Sequence, residues 1–233
     1  MADGTPGVVA LKGLKVERQN LAQQAAVRLR EAIIAGDFAP GDRLTEVSVA
    51  EALSVSCGTL RAGLAQLEVE GFVVRERYSA WRVASLEASD IWESYTLRAA
   101  LESMAARLVA ERIDQSIRDD LQHRLRDLSK AKTALVRAER DLALHLAIVE
   151  NAGHRQLSEI YQRTLNRFRW IYALSEASEP ARIDLVDWHD PLVSAICAGD
   201  PDEAARLAHE MIMASLSDDL RAAGSAGDAE RSA

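Results

Sequence analysis

Long hydrophobic runs are missing: no apolar stretch in the 233 residues comes near the roughly eighteen needed to cross a bilayer. The opening MADGTPGVVALKGLK also lacks the charged, apolar and cleavage-site layout of a secretory signal. A cytoplasmic protein with no membrane partner is therefore expected. Cysteine is scarce. Cys57 and Cys197 stand far apart and in no CxxC or Cys/His cluster, which argues against a disulfide framework or a thiolate zinc site and leaves two free thiols. Neither GxSxG nor HExxH occurs, so no nucleophile elbow or metalloprotease helix is suggested. Positive charge is not in excess either: 28 Lys and Arg against 36 Asp and Glu leave a net charge of -8. Such a balance favours solubility and disfavours indiscriminate binding to polyanions, so any nucleic-acid surface must be local. What is present is ordinary globular composition, 48% hydrophobic and 27% charged, enough for one large domain or two modest ones.

Residues 1–16, rich in glycine and small side chains, read as a flexible leader. From Arg18 the apolar Leu21, Ala25, Val27, Leu29, Ile33 and Ile34 recur at helical spacing up to Gly36, with Pro40-Gly41 just beyond. A second short helix fits Glu46 to Leu53 with Thr45 as N-cap, and a third fits Gly58 to Glu70, capped by Ser56 and closed by Gly71. Two apolar stretches, Phe72 to Val74 and Trp81 to Val83, then flank a polar centre as a small hairpin. Three helices and a hairpin predict a winged helix-turn-helix over residues 17–85, whose third helix enters the major groove. From Glu87 onward no convincing strand occurs. Helical periods run over Ala88–Arg112, Ser116–Leu128, Leu135–Glu150, Gln156–Leu174, Arg182–Ala198 and Pro201–Arg221. The fold class expected is mainly α, with the winged helix-turn-helix followed by an all-α bundle of about six helices over residues 86–221. Asp200, Pro201 and Glu203 mark the start of the last helix as a capping box, and 222–233 read as a flexible tail.

These residues resemble the GntR superfamily, in the branch with a C-terminal FCD domain. The likeness rests on Leu29-Arg30, Ile33, Gly36, Phe38, Pro40-Gly41 and Arg43-Leu44-Thr45-Glu46. It continues through Ser56, Thr59-Leu60-Arg61, Leu64, Leu67-Glu68 and Glu70-Gly71. It spans about Leu21 to Leu220 and implies a homodimer that binds a palindromic double-stranded DNA operator, with a small carboxylated metabolite as effector. DNA contacts would come from Arg43, Thr59, Arg61, Arg75 and Arg77, with Arg82 beside the wing. Three positions depart from the family pattern: Val47 and Cys57 stand where arginines are usual, and Ser79 where the wing usually turns on glycine. Between Glu17 and Ser85 eight arginines face nine acidic residues, so the phosphate-neutralising charge is small.

FCD domains commonly hold a divalent metal with one aspartate and three histidines. Asp141 and His145 stand at i and i+4, on one helical face, and His189 occupies the place of the next ligand. Counting from Asp200, the family's last histidine falls at Met211. The available histidine is His209, two residues earlier and about 200° away round the helix, so it is a register-dependent fourth candidate. A thioether at Met211 suits only softer ions, yet three ligands and water make an open site. The expected cofactor is one divalent ion, zinc, nickel or manganese; the alternative is a buried polar cluster bonded within the bundle. Arg98 matches a family arginine that faces the effector pocket, the bland alternative being an ion pair with Glu102 one turn along. Asn166 and Arg169 are further effector candidates. His123 and His154 read as solvated or capping residues, and Trp92, Trp170 and Trp188 as core or dimer-contact residues.

A ligand-responsive transcription regulator with no catalytic residue accounts for most of these features. A repurposed relative with a degraded DNA surface, acting as a metal-dependent enzyme or ligand-binding protein, is the alternative that Val47, Cys57 and Ser79 raise. A third is an interaction module acting through heterodimers with an intact relative.

Overall fold

The computed structural model describes residues 21–76, 80–178 and 184–230, which form nine helices and three short strands. They divide into two compact units, one holding residues 43–82 together with the first helix up to Glu31, the other holding 32–42 and the chain from Val83 onward. This architecture is the mainly α fold class that the sequence predicts.

In the first unit, α1 (Leu21–Ile34) buries Ala22, Ala25, Ala26 and Leu29, the three- and four-residue steps of one helical face. The helix-turn-helix follows as α2 (Glu46–Ala52) and α3 (Cys57–Val69). Ser54, between them, takes a left-handed φ of 55°, and its N–H and that of Val55 bond back to Glu51 and Ala50. The Ser56 side chain caps α3 by accepting from the Thr59 N–H at 3.1 Å. Thr45 holds the N-cap position of α2 without a side-chain cap bond, so its expected capping role is not realised.

Gly63 in α3 packs directly against the backbone of α1. A β-carbon there would stand 2.7 Å from the Ala22 carbonyl oxygen and 3.2 Å from the Ala26 nitrogen. Gly63→Ala should therefore push α3 off α1 and destabilise this unit by about 1–3 kcal/mol, read as a lowered midpoint in denaturant melts.

The wing is a three-stranded sheet. Besides β2 (Val73–Arg75) and β3 (Trp81–Val83), the two-residue β1 (Arg43–Leu44) pairs antiparallel with β3, Arg43 opposite Arg82 and Leu44 opposite Trp81. The strand order is β1-β3-β2. Two residues are too few to show alternation, and β1 was therefore not among the expected strands.

The second unit is all helical: α4 (Ala88–Glu111), α5 (Gln115–Leu128), α6 (Ala134–Asn151), α7 (Arg155–Ser178), α8 (Leu185–Ala198) and α9 (Pro201–Glu230). Local side chains start several of them, His154 among these for α7. Asp114, Thr133, Asp184 and Asp200 accept from the Ile117, Val136, Val186 and Glu203 N–H groups. Helix α4 runs through the middle, packed against α6, α7, α8 and above all α9. Its Ala99, Ala105, Ala106 and Ala110 are buried, as are Ala204 and Ala208 on α9, and these small side chains permit close approach. Helix α9 continues to Glu230, where a tail was expected from residue 222. In residues 222–230, AAGSAGDAE, the four alanines and Glu230 favour helix, and Gly224 and Gly227 oppose it most. Among the described residues no helix is long and apolar enough to cross a membrane.

Candidate functional site

The core-facing stripe of α4 runs Ile91, Ser94-Tyr95, Arg98-Ala99, Glu102, Ala105-Ala106 and Val109-Ala110. Two of its positions carry charge. Arg98 donates from Nε to Glu102 Oε1 at 2.6 Å, and both side chains are buried. The same carboxylate oxygen accepts from the Tyr161 hydroxyl of α7 at 2.7 Å, while its other oxygen stands 2.5 Å from His145 Nδ1. That last contact is out of line for a directed hydrogen bond and acts as a close charge contact. The Arg98 guanidinium also lies 5.8 Å from the Phe168 ring centroid.

Asp141 and His145 project from one face of α6, and His189 reaches them from α8; all three are buried. His145 Nε2 and His189 Nε2 are 3.1 Å apart, and His189 Nε2 is 3.0 Å from Asp141 Oδ1. The far sides of the rings decide what these atoms present. His189 Nδ1 bonds the Leu185 carbonyl at 2.7 Å, and since a carbonyl only accepts, the proton sits on Nδ1. The Glu102 carboxylate, 2.5 Å from His145 Nδ1 but out of line for a hydrogen bond, favours the proton on that nitrogen through its charge. In the neutral rings both Nε2 atoms then turn lone pairs toward each other and toward a carboxylate. Three donors facing one another are held together by a shared cation, either a proton on His189 or a metal ion. Nitrogens bound at about 2.0–2.1 Å to a tetrahedral zinc lie roughly 3.3 Å apart, so the donor set fits such an ion.

The electrostatics agree with that reading. Burial works against ionising Asp141, yet the His189 and His145 rings outweigh it and hold the carboxyl well below its usual range. Burial likewise lowers the proton affinity of His189, and Asp141 overcomes it to leave the ring raised. Glu102 is opposed by burial but held down to about 2 by Arg98 and His145.

Asp141, His145 and His189 thus meet, and His209 does not join them: it is exposed on α9, whereas Met211 is buried in the same apolar cluster as Leu144 and Leu192. Two residues of helical turn account for the difference. Arg98 makes the ion pair with Glu102 that was its bland reading. Asn166 and Arg169 are half-buried and bonded to each other at 3.2 Å, about 80–140° round α7 from Tyr161. His154 Nδ1 caps α7 by accepting the Leu157 N–H, and His123 lies exposed beside Asp127. Trp170 is buried and Trp188 packs on the core, but Trp92 is 53% exposed. Glu102 and Tyr161 join the site although the sequence alone does not single them out for it. The signal that could have found them is an opposite-charge pair on the apolar stripe of α4, since a charge on that stripe must have buried partners.

In the other unit Arg43, Arg61 and Arg75 are exposed and Thr59 is half-buried, its hydroxyl 2.8 Å from that of Ser56. Arg77 and Ser79 lie outside the described residues. Acidic neighbours hold several of the arginines. Arg61 Nε donates to Glu46 Oε2 at 2.7 Å, Arg82 to Glu76 at 2.6 Å, and Arg30 makes a two-pronged pair with Glu70. Cys57 begins α3, and Val47 is 57% exposed on α2.

The profile of the FCD domain matches residues 93–214, and that of the bacterial regulatory proteins of the gntR family matches residues 21–83. The chain belongs to the GntR family and carries an FCD domain. This GntR-family protein is 29% identical over 223 residues to an uncharacterised HTH-type transcriptional regulator of Mycobacterium tuberculosis, Rv0494, spanning 85% of this chain and 89% of that one. It is 26% identical over 197 residues to the HTH-type transcriptional repressor GlaR of Escherichia coli strain K12, with 79% and 89% covered. Its fold is shared with the solved structure of E. coli McbR/YncC, at a TM-score of 0.71 and 23% identity over 89% of this chain and 99% of that one. These families and relatives are transcription regulators rather than enzymes, and the GntR-FCD chain is likewise a transcriptional regulator.

Proposed function

We propose that this regulator binds a divalent metal, zinc, nickel or manganese, through Asp141, His145 and His189, and through it a small carboxylated effector that changes its affinity for a DNA operator. The observation that carries the reading is the convergence of two histidine Nε2 atoms and one carboxylate oxygen inside the buried core of the helical unit. His189 is oriented from behind by its hydrogen bond to the Leu185 carbonyl, which is how metal-binding histidines are ordinarily held, and the Glu102 carboxylate stands close behind His145. With Met211 at the fourth protein position, coordination sites stay open to a ligand carboxylate, for which a bound cation supplies the electrophilic partner. Arg98 adds positive charge to the same buried region and, with Glu102 as its counter-ion, keeps the donors oriented.

On the DNA side α3 is the reading helix, with Thr59 and Arg61 at its front and Arg43 and Arg75 as flanking contacts. Arg77 is proposed for the same surface from the sequence pattern alone. The active form is a homodimer on a two-half-site, palindromic duplex. The test is fluorescence anisotropy of tag-free full-length protein on duplexes enriched from a random pool, with and without each metal. Tight, salt-dependent binding with two chains per duplex and a metal-dependent affinity supports the reading. Binding that is flat at low salt for every duplex ends it. If Arg61 or Arg75 contacts a phosphate, its replacement by alanine flattens the log-log salt dependence by about 0.9.

A further inference from the structure

The basic residues of the reading helix reduce to one. Among the thirteen residues CGTLRAGLAQLEV of α3, Arg61 alone carries positive charge, and Val47 and Cys57 add none nearby. Whatever reads DNA from this helix through a guanidinium depends on where Arg61 points. Its stem is long and its side chain is 64% exposed, so an unrestrained Arg61 would sample many rotamers. It is not unrestrained. Glu46, the first residue of α2, takes Arg61 Nε on one carboxylate oxygen at 2.7 Å and the Trp81 indole N–H of β3 on the other at 3.2 Å. Trp81 is buried, and the β1–β3 register places it opposite Leu44, two residues before Glu46. The Arg75 guanidinium of the wing lies 5.5 Å from the centroid of the same indole ring. One carboxylate thus joins the reading helix, the helix before it and the wing.

We infer that Glu46 is a positioning residue for DNA recognition, which grips the Nε edge of Arg61 and so turns its terminal nitrogens outward toward the groove. The inference rests on the reading of α3 as the DNA-contacting helix. It carries an unusual sign. An acidic side chain beside DNA ordinarily repels phosphates, so its removal should tighten binding. Glu46 is only 18% exposed and both its oxygens are engaged, so here its removal releases Arg61 and weakens binding to the preferred sequence.

The experiment uses the full chain and the best duplex enriched from a random-sequence pool, with a scrambled duplex as the non-specific reference. Glu46→Ala should weaken binding to the enriched duplex about tenfold, the effect of losing one charge-assisted hydrogen bond, and leave the scrambled duplex bound as well or better. In an Arg61→Ala background the same substitution should cost nothing further, because the group it orients is gone. Glu46→Gln keeps the acceptor for Trp81 while losing the charge, and should fall between the two; if the alanine protein does not fold, this variant is the one read. Unchanged or tighter binding of the enriched duplex by the single variants overturns the inference, as does an equal loss with and without Arg61. Failure of the unaltered protein to enrich any duplex overturns the parent reading and this inference together, whereas a normal parent with an indifferent Glu46 variant overturns this inference alone.

Discussion

His189→Ala should bind zinc, nickel or manganese at least about a hundredfold more weakly than the unaltered chain, because it deletes one of only three protein donors and disturbing even an outer-shell partner costs about 10–100-fold. Competition against a chelator on protein purified without an affinity tag measures it directly. A second reading comes from calorimetry. At roughly a thousand times Kd, a metal that binds only the folded state adds about 4 kcal/mol. For a chain of this length that is on the order of 8–16 °C in the melting temperature. The unaltered protein should show that rise and the His189→Ala protein should lose it. An equal shift in both would place the metal elsewhere, and no shift in the parent would leave the three donors as a proton-sharing polar cluster. His209→Ala should change neither measurement, since that ring is exposed on α9.

Glu102→Gln should destabilise the helical unit by about 3–5 kcal/mol, because it strands the buried Arg98 without its counter-charge and leaves no dry alternative for the guanidinium. Chemical denaturation at neutral pH checks the magnitude. The pH dependence checks the cause. Glu102 is held down to about 2 in the folded chain, chiefly by Arg98 and His145 working against burial, whereas an unfolded glutamate titrates near 4.3. A carboxylate depressed on folding contributes stability that is fully present above its unfolded value and is lost as pH falls toward its folded one. Unfolding free energy should therefore drop between about pH 5 and pH 2 in the parent. Asp141, shifted the same way, adds to that slope and keeps part of it in the Glu102→Gln protein. The variant should show a shallower slope over this interval; an identical slope would mean that Glu102 does not carry the charge assigned to it.

Several features were legible along the chain because they are local. Ser56 three residues before Thr59, and Asp200 three before Glu203, are helix starts written within one turn, and both form the expected cap bonds. Asp141 and His145 share a face because four residues nearly complete a helical turn. Gly199 ends α8 at a φ of 73°, where a left-handed residue is needed. Other features gave weak local signals or misleading ones. Thr45 has the right residue type and position for a cap but makes no side-chain bond. The two residues of β1 form a strand only because β3 lies beside them. His209 was available in the sequence, but the turn of α9 buries Met211 instead.

The sequence by itself determined which segments are helical, which faces they bury and that Asp141 shares a face with His145, since each depends on neighbours within about one helical turn, whereas ends such as those at Ser178 and Glu230 lay several residues beyond the expected ones. Only the tertiary structure brings His189, which the family resemblance had offered, up against Asp141 and His145. It also decided that Glu102 stands behind His145 and beneath Tyr161, and that Glu46 gathers Arg61 and Trp81. Those meetings join residues between 15 and 59 positions apart. No spacing rule spans such distances, because the angle and offset at which one element crosses another follow from how the whole set of side chains between them packs.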